Sequence, residues 1–335
     1  MSRWLLLLAL MLFCYPSALA FYFSAPNEQG KTIYYNVVNS DSAWVEVTYR
    51  YNISYGHCYD GYGDLIIPST VFNGSKTYTV TDIGSKALMG ASITSLTLPN
   101  TLRTISSESL CGIPVSTLTI PESVTSIGYC AISSNGYGSG PSTSIKKLYY
   151  NAKNATSSHN SHTNNSGTVF YYGPFMLDAD CEVIIGNNVE KIPSYLFCNS
   201  LFSSIDIPSG VTNIGQFAFY NCKNLSTVTL GQNITSIGYD AFDKCPSLAT
   251  VIALMPTPPT IFDLTFSNSS NATLFVPAGC GPYYSSANYW KNFKEIIETS
   301  KIYFVDPNVE SICVANWDTN HDGYLSVLEA FLVMI

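Results

Sequence analysis

Internal repetition is the feature that most constrains what this chain can fold into. The segment VTNIGQFAFYNCKNLSTVTLG at 211–231 aligns with ITSIGYDAFDKCPSLATVIAL at 234–254, and more loosely with VEKIPSYLFCNSLFSSIDIP at 189–208. VTDIGSKALMGASITSLTLP at 80–99 and LRTISSESLCGIPVSTLTIP at 102–121 repeat the plan. Each unit closes on a short apolar-x-apolar strand and a punctuating residue, at Pro68, Pro99, Pro121, Asn151, Gly186, Pro208, Gly231, Leu254 and Pro277. The intervals are 31, 22, 30, 35, 22, 23, 23 and 23 residues, so nine turns share a basic period of 22 or 23. A piece that short cannot bury its apolar face alone, so its Ile, Leu, Val, Ala, Phe and Cys must stack on their counterparts in adjacent turns. The expectation is a mainly β solenoid, and strands ~4.8 Å apart make its nine turns a rod about 43 Å long.

The three long intervals carry their extra residues in NGSK (73–76), SSNGYGSGPSTS (133–144) and the stretch from 155 to 173 that begins ATSSHNSHTNNSG; these read as loops pushed outward. The ends of such a rod need covers. TIYYNVV (32–38) and WVEVTYRY (44–51) read as a hairpin within an N-terminal cap at 21–60. The solenoid is assigned to 61–297, closing on LFVPAGCGPYYSSANYWKNFKEII (274–297), an aromatic, charged cap expected to end in an amphipathic helix.

Composition narrows the function. Only 11% of the 335 residues are charged, and 15 Lys+Arg stand against 23 Asp+Glu, a net charge of −8 with no basic run. That disfavours nucleic acid as partner. Four histidines leave few candidates for imidazole chemistry, which favours binding over catalysis. Arg3, the apolar run Trp4 to Phe13 and the small-residue site Ala18-Leu19-Ala20 read as a secretory signal peptide, 1–20, cleaved after Ala20. The run falls short of the ~20 residues needed to span a bilayer, so no transmembrane span is expected in the mature chain. Nine cysteines would remain after cleavage. Their periodic spacing points to buried thiols acting as small hydrophobes, although export would permit disulfides.

The VTSIG element at 124–128, AFxxC at 218–222 and 241–245, YYNAKNA at 149–155 and the final VPAG with Tyr283, Tyr284 and Trp290 resemble the BspA-like leucine-rich-repeat proteins of bacterial surfaces and secretions. The resemblance covers nearly the whole mature chain. It implies a right-handed leucine-rich-repeat solenoid, adhesion to host or neighbouring-cell ligands, and no catalytic residues. The units with Cys111 and Cys198 depart from it, carrying two residues fewer before the cysteine.

One segment has atom-level chemistry. WDTNHDGYLSVLEA at 317–330 fits D-x-[DN]-x-[DN]-G-x5-E. Asp318, Asn320, Asp322, the Tyr324 carbonyl, Ser326 and bidentate Glu329 would supply the six or seven oxygens that calcium needs, around a turn at Gly323. A helix from Pro307 would place Val309, Ile312, Cys313 and Trp317 on one face before the loop, within a linker and EF-hand-like module at 298–335. With three carboxylates and no second loop, affinity should be weak, ~0.1–1 mM. The module also resembles a dockerin repeat, and its apolar ending Phe331 to Ile335 would need a cover, either the solenoid end or sequence beyond a truncated end.

Elsewhere, His159 and His162 share an HxxH spacing in a Ser/Asn-rich loop poorly suited to zinc, and adjacent His57 and Cys58 point opposite ways in an extended segment. Strand alternation turns Thr97, Thr119, Tyr149, Ile184, Asp206, Thr229 and Ile252 outward. Tyr149 and Ile184, beside the insertion carrying Tyr171 and Tyr172, form the expected ligand patch, with burial in a local core as the alternative. The functional expectation is an exported, non-enzymatic protein whose strand face recognises a protein or glycan. The alternatives are a docking scaffold in an extracellular assembly and an accessory to a glycan-active enzyme.

Overall fold

The computed structural model describes residues 22–50, 58–133, 144–163, 166, 169–299, 307–318 and 325. Its architecture is a stacked series of turns in which a typical repeat lays down one four- or five-residue strand, one two-residue strand and a looser turn between them. The longer strands form one face. Along it, Gly63–Ile66 pairs with Ile93–Thr97; Thr117–Ile120, Lys147–Tyr150 and Glu182–Ile185 form a three-stranded sheet; and Ser204–Ile207, Thr227–Leu230, Thr250–Ala253, Thr273–Val276 and Glu295–Glu298 form a five-stranded one. All these pairings are parallel, at one strand per turn.

The second face is built from the two-residue strands. Thr104–Ile105, Ser126–Ile127 and Thr156–Ser157 extend a sheet that begins in the N-terminal hairpin, while Lys191–Ile192, Asn213–Ile214 and Ser236–Ile237 form another. In that hairpin Thr32–Asn39 runs antiparallel to Trp44–Thr48, and the latter pairs in parallel with Lys76–Ile83, which joins the end to the first turn. The Arg103 guanidinium lies 4.6 Å over the Trp44 ring and ties the same junction.

The residues that recur in the sequence fill the space between the faces. Phe197, Phe219, Phe242 and Phe266 stack turn on turn, with centroids 5.4, 4.9 and 4.9 Å apart, and end on Trp290 and Phe293. Stacked rings of this kind are the interior counterpart of the AFxxC motif. Trp290 donates from Nε1 to the Pro259 carbonyl at 2.8 Å, and Tyr284 donates to that of Met255 at 2.9 Å, so the polar tips of the buried cap residues are satisfied.

Two expectations about local structure are corrected. The amphipathic helix expected at the end of 274–297 is a helix at Gly281–Ser286 followed by the strand Glu295–Glu298. The β-branched pair Ile296-Ile297 meets the free edge of Thr273–Val276 and adds a rung to its sheet, while the Glu298 carboxylate accepts from the amides of Gly279 and Gly281 at 2.9 and 2.7 Å. NGSK is a two-residue hairpin turn joining Thr70–Asn73 to Lys76–Ile83, with Gly74 at φ 64°.

Candidate functional site

The strand face is broken between Glu182–Ile185 and Ser204–Ile207. Strands on either side are bonded in register to their own neighbours, but no backbone hydrogen bond joins these two. The opening is a groove of about 700 Å³ lined by Glu182, Ile184, Asp206, Pro208, Thr229 and Leu254 among others. That is within the ordinary range for a ligand cleft. A polar hollow of about 320 Å³, formed by Glu122, Asn151, Gly186, Asn187 and Asn188, shares Asn187 with it.

The groove combines apolar and polar groups. Ile184 is half-buried and Asp206 exposed, while the Thr229 hydroxyl is buried without a hydrogen-bond partner. Cross-turn ion pairs neutralise the acids on the other wall: Lys147 with Glu182 at 2.8 Å, and Lys146 with Asp180. The Lys146 pair raises the lysine pKa and lowers that of Asp180, chiefly through their shared hydrogen bond. Asp206 has no ion pair among the described residues.

The four residues of the expected patch divide into two places. Tyr149 and Ile184 are register partners on adjacent strands, with Lys147 Nζ 5.8 Å from the Tyr149 ring. Tyr171 and Tyr172 belong to a hairpin, Asn160–Thr163 with Val169–Tyr172, and Tyr171 folds onto the turn side of the solenoid. There its ring lies 5.1 to 6.2 Å from His159, Tyr195, Phe217 and Tyr220. The insertion is thus a structured hairpin with its own small core. Tyr171 belongs to that core because the facing turn positions are aromatic, which a reading of the insertion alone does not reveal. On the strand face Thr97, Thr119 and Asp206 are exposed as the alternation requires, but Thr229 and Ile252 are buried, so the exposed stretch ends at Asp206.

The hairpin is held by backbone capture. Asn199 Nδ2 donates to the Tyr171 carbonyl, and Cys198 Sγ lies 3.7 Å from the same oxygen. Asn221 Nδ2 in turn donates to Asn199 Oδ1 at 2.6 Å, continuing the ladder to the next turn. His159 stacks on Tyr195, with centroids 3.7 Å apart, rather than converging with His162, which is exposed. Burial pulls the His159 pKa down. His57 and His321 lie outside the described residues.

Cys198 and Cys222, which the sequence motif suggests are counterparts, occupy different positions of the turn. Cys222 and Cys245 each donate to the carbonyl of the preceding turn's phenylalanine, Phe197 and Phe219, both at 3.2 Å. Ser200 stands at the equivalent place and donates to the Phe175 carbonyl at 3.0 Å, so the Cys198 unit lacks no residues: its cysteine sits at another position, in line with Tyr220. Every described cysteine carries a free thiol, and burial pushes Cys130 and Cys181 up to about 12.

Of the residues expected from the sequence to bind calcium only Asp318 is described; it is buried, at the end of the helix Pro307–Trp317, its amide donating to the Val314 carbonyl at 3.1 Å. Asn320, Asp322, Tyr324, Ser326 and Glu329 lie outside the described residues, as does the segment assigned to the signal peptide. On the helix Cys313 is buried, whereas Val309, Ile312 and Trp317 are exposed. Among the described residues no group of three or more His, Cys, Asp or Glu is placed to hold a metal, and no helix is long and apolar enough to cross a membrane.

A mainly β stack of 22- to 23-residue turns with stacked interior aromatics defines a leucine-rich-repeat solenoid. The BspA-type leucine-rich-repeat profile matches in six copies over residues 69–171 and 179–312, and the chain belongs to that family. Among solved structures it is similar to a leucine-rich cell surface protein from Faecalibacterium prausnitzii, with 16% identity and TM-score 0.30 over 83% of this chain and 95% of that one. It is also similar to a leucine-rich-repeat protein from Bacteroides ovatus, with 16% identity and TM-score 0.30 over 79% and 86%. For the pneumococcal vaccine antigen PcpA the values are 12% and 0.25 over 84% and 100%. No curated protein matches the sequence.

Proposed function

We propose that the protein is an exported, surface-associated recognition module that binds an extracellular protein or glycan without chemical turnover. The observation that carries this reading is the break in the strand face. It opens a groove of about 700 Å³ beside Ile184, between the three- and five-stranded sheets, where the Thr229 hydroxyl has no hydrogen-bond partner. A cleft with an apolar wall and a few convergent polar groups is suited to orienting a ligand. Export is supported by the N-terminal sequence. The test is a binding screen against host-cell and neighbouring-cell surface extracts with the wild type and a Tyr149→Ala, Ile184→Ser double variant. Loss of capture in the variant supports the groove, and unchanged capture removes it.

The C-terminal loop adds a second part to the proposal: calcium held by Asp318, Asn320, Asp322, the Tyr324 carbonyl, Ser326 and Glu329, ordering the end of the chain. The liganding pattern in the sequence supports it. Calorimetric titration of residues 21–335 should show saturable weak binding that disappears in Asp318→Ala, Glu329→Ala. No heat at several millimolar calcium would refute it.

A further inference from the structure

The turn side of the solenoid carries a row of aromatic rings: His159, Tyr195, Phe217, Tyr239 and Phe262 follow one another at 3.7, 4.8, 6.1 and 6.4 Å. Under the Tyr171 hairpin the row is covered. Beyond it the row emerges, with Tyr239 44%, Phe262 47% and Leu264 38% exposed. Large apolar groups left uncovered side by side mark a contact surface.

Carboxylates surround this emerging end. Asp240 is only 7% exposed, and its Oδ1 is buried with no hydrogen-bond partner. The charged and titratable groups facing it are Asp243 and Lys244 of its own turn, Tyr239 beside it and Tyr195 from an earlier turn, while Asp263 of the next turn also acts on Tyr239. Three carboxylates therefore meet one ammonium. Lys244 is itself committed: its Nζ lies 4.9 Å over the Tyr220 ring and bonds the Tyr220 hydroxyl. It also displays the chemistry of the place, a cation seated on an aromatic face beside acids.

We propose that this aromatic and acidic ridge, centred on Tyr239, Phe262 and Asp240, docks an arginine- or lysine-bearing peptide segment of a partner protein. Charge complementarity selects that occupant, since a guanidinium or ammonium can stack on the exposed rings while the acids attract it. An anionic glycan is repelled, and a neutral sugar leaves the excess negative charge uncompensated. The surface is separate from the strand-face groove, so either can fail without the other.

The pH dependence has a definite sign. Burial, then the nearby Asp243 charge, pushes Asp240 up to about 6. Acidification through that value removes a negative charge from the ridge and weakens a cationic ligand.

The test is fluorescence anisotropy of a labelled hexapeptide of alternating alanine and arginine against the full chain. Expected are saturable binding near neutral pH, sensitivity to about 0.5 M salt, and loss of about tenfold or more, ~1.4 kcal/mol, in Asp240→Asn and in Tyr239→Ala, Phe262→Ala. Affinity should fall between pH about 7.5 and 5 in the wild type but stay flat in Asp240→Asn. Asn tolerates the left-handed backbone at this position (φ 55°), and circular dichroism checks the fold of each variant. Equal binding of a glutamate hexapeptide, undiminished arginine-peptide binding by both variants, or binding of a neutral cello-hexaose in place of the peptide would each overturn the proposal.

Discussion

Contact between turns is decided at single atoms. A Cβ on Gly238 would overlap the backbone of Gln216 in the preceding turn, and one on Gly215 or Gly128 would overlap Ser194 or Ser107. The Ile-Gly pair of each VTSIG-like element is thus a requirement of close backbone approach. Gly238→Ala should cost about 1–3 kcal/mol in urea denaturation, and an unchanged midpoint would show that the turns can part. Asp240 makes the opposite prediction. Its carboxyl is raised from 3.8 to about 6 in the fold, so the native state prefers the protonated form. The penalty is absent below pH about 4, grows between about 4 and 6, and is complete above, at about 1–3 kcal/mol. Asp240→Asn should therefore raise the thermal midpoint near pH 7.5 and lose that advantage near pH 4.

Among elements, the hairpin of Asn160–Thr163 and Val169–Tyr172 shows how an insertion is kept on a solenoid without joining either sheet. Its anchor is one ring, Tyr171, packed among Tyr195, Phe217 and Tyr220, plus the carbonyl taken by Asn199. A two-stranded hairpin has little stability of its own. Tyr171→Ala should speed chymotryptic cleavage around Tyr172 at least several-fold, with a smaller effect on global unfolding than Phe219→Ala, which removes a fully buried ring from the spine at a cost of about 3–5 kcal/mol. Equal protease resistance in wild type and Tyr171→Ala would mean that the backbone contacts suffice. The strand Glu295–Glu298 shows the converse: Trp290, Phe293 and Ile297 have a helix-like apolar spacing, yet an available sheet edge makes the end of that segment β.

For the molecule as a whole, the turns stack as one continuous core from Phe23 to Phe293 even though the strand face is divided into sheets of two, three and five strands. Packing is continuous where backbone pairing is not, so a groove can open on the face at little cost to the interior. The thiols report on that interior. Cys111, Cys130, Cys198, Cys222 and Cys245 are buried, and burial raises Cys198 and Cys222 far above the ordinary thiol value. Native-state alkylation with iodoacetamide near pH 8 should leave these five unmodified, and denaturant should release them together, as read by mass spectrometry. Rapid native labelling of Cys222 or Cys245 would mean that the solenoid opens turn by turn.

The period, the strand positions and the aromatic spine are legible in the chain because many turns repeat the same local demands: a Gly for close approach at Gly128, Gly215 and Gly238, alternation for a strand, and from Phe197 to Phe266 a Phe for the interior. The proposed calcium loop is likewise an expectation from spacing within one segment, and of its residues only Asp318 is among those described. What the chain does not spell out is which residues of different turns coincide. Cys198 looked like the counterpart of Cys222, but Ser200 holds that place. Tyr171 meets Tyr195 and Phe217 only through a hairpin whose docking side no local pattern announces. The groove beside Ile184 exists because two neighbouring turns diverge after the insertion, and the ridge at Tyr239 because rings a turn apart emerge together from beneath it. Those are distances across turns, set by stacking rather than by any single repeat, and only the tertiary structure fixes them.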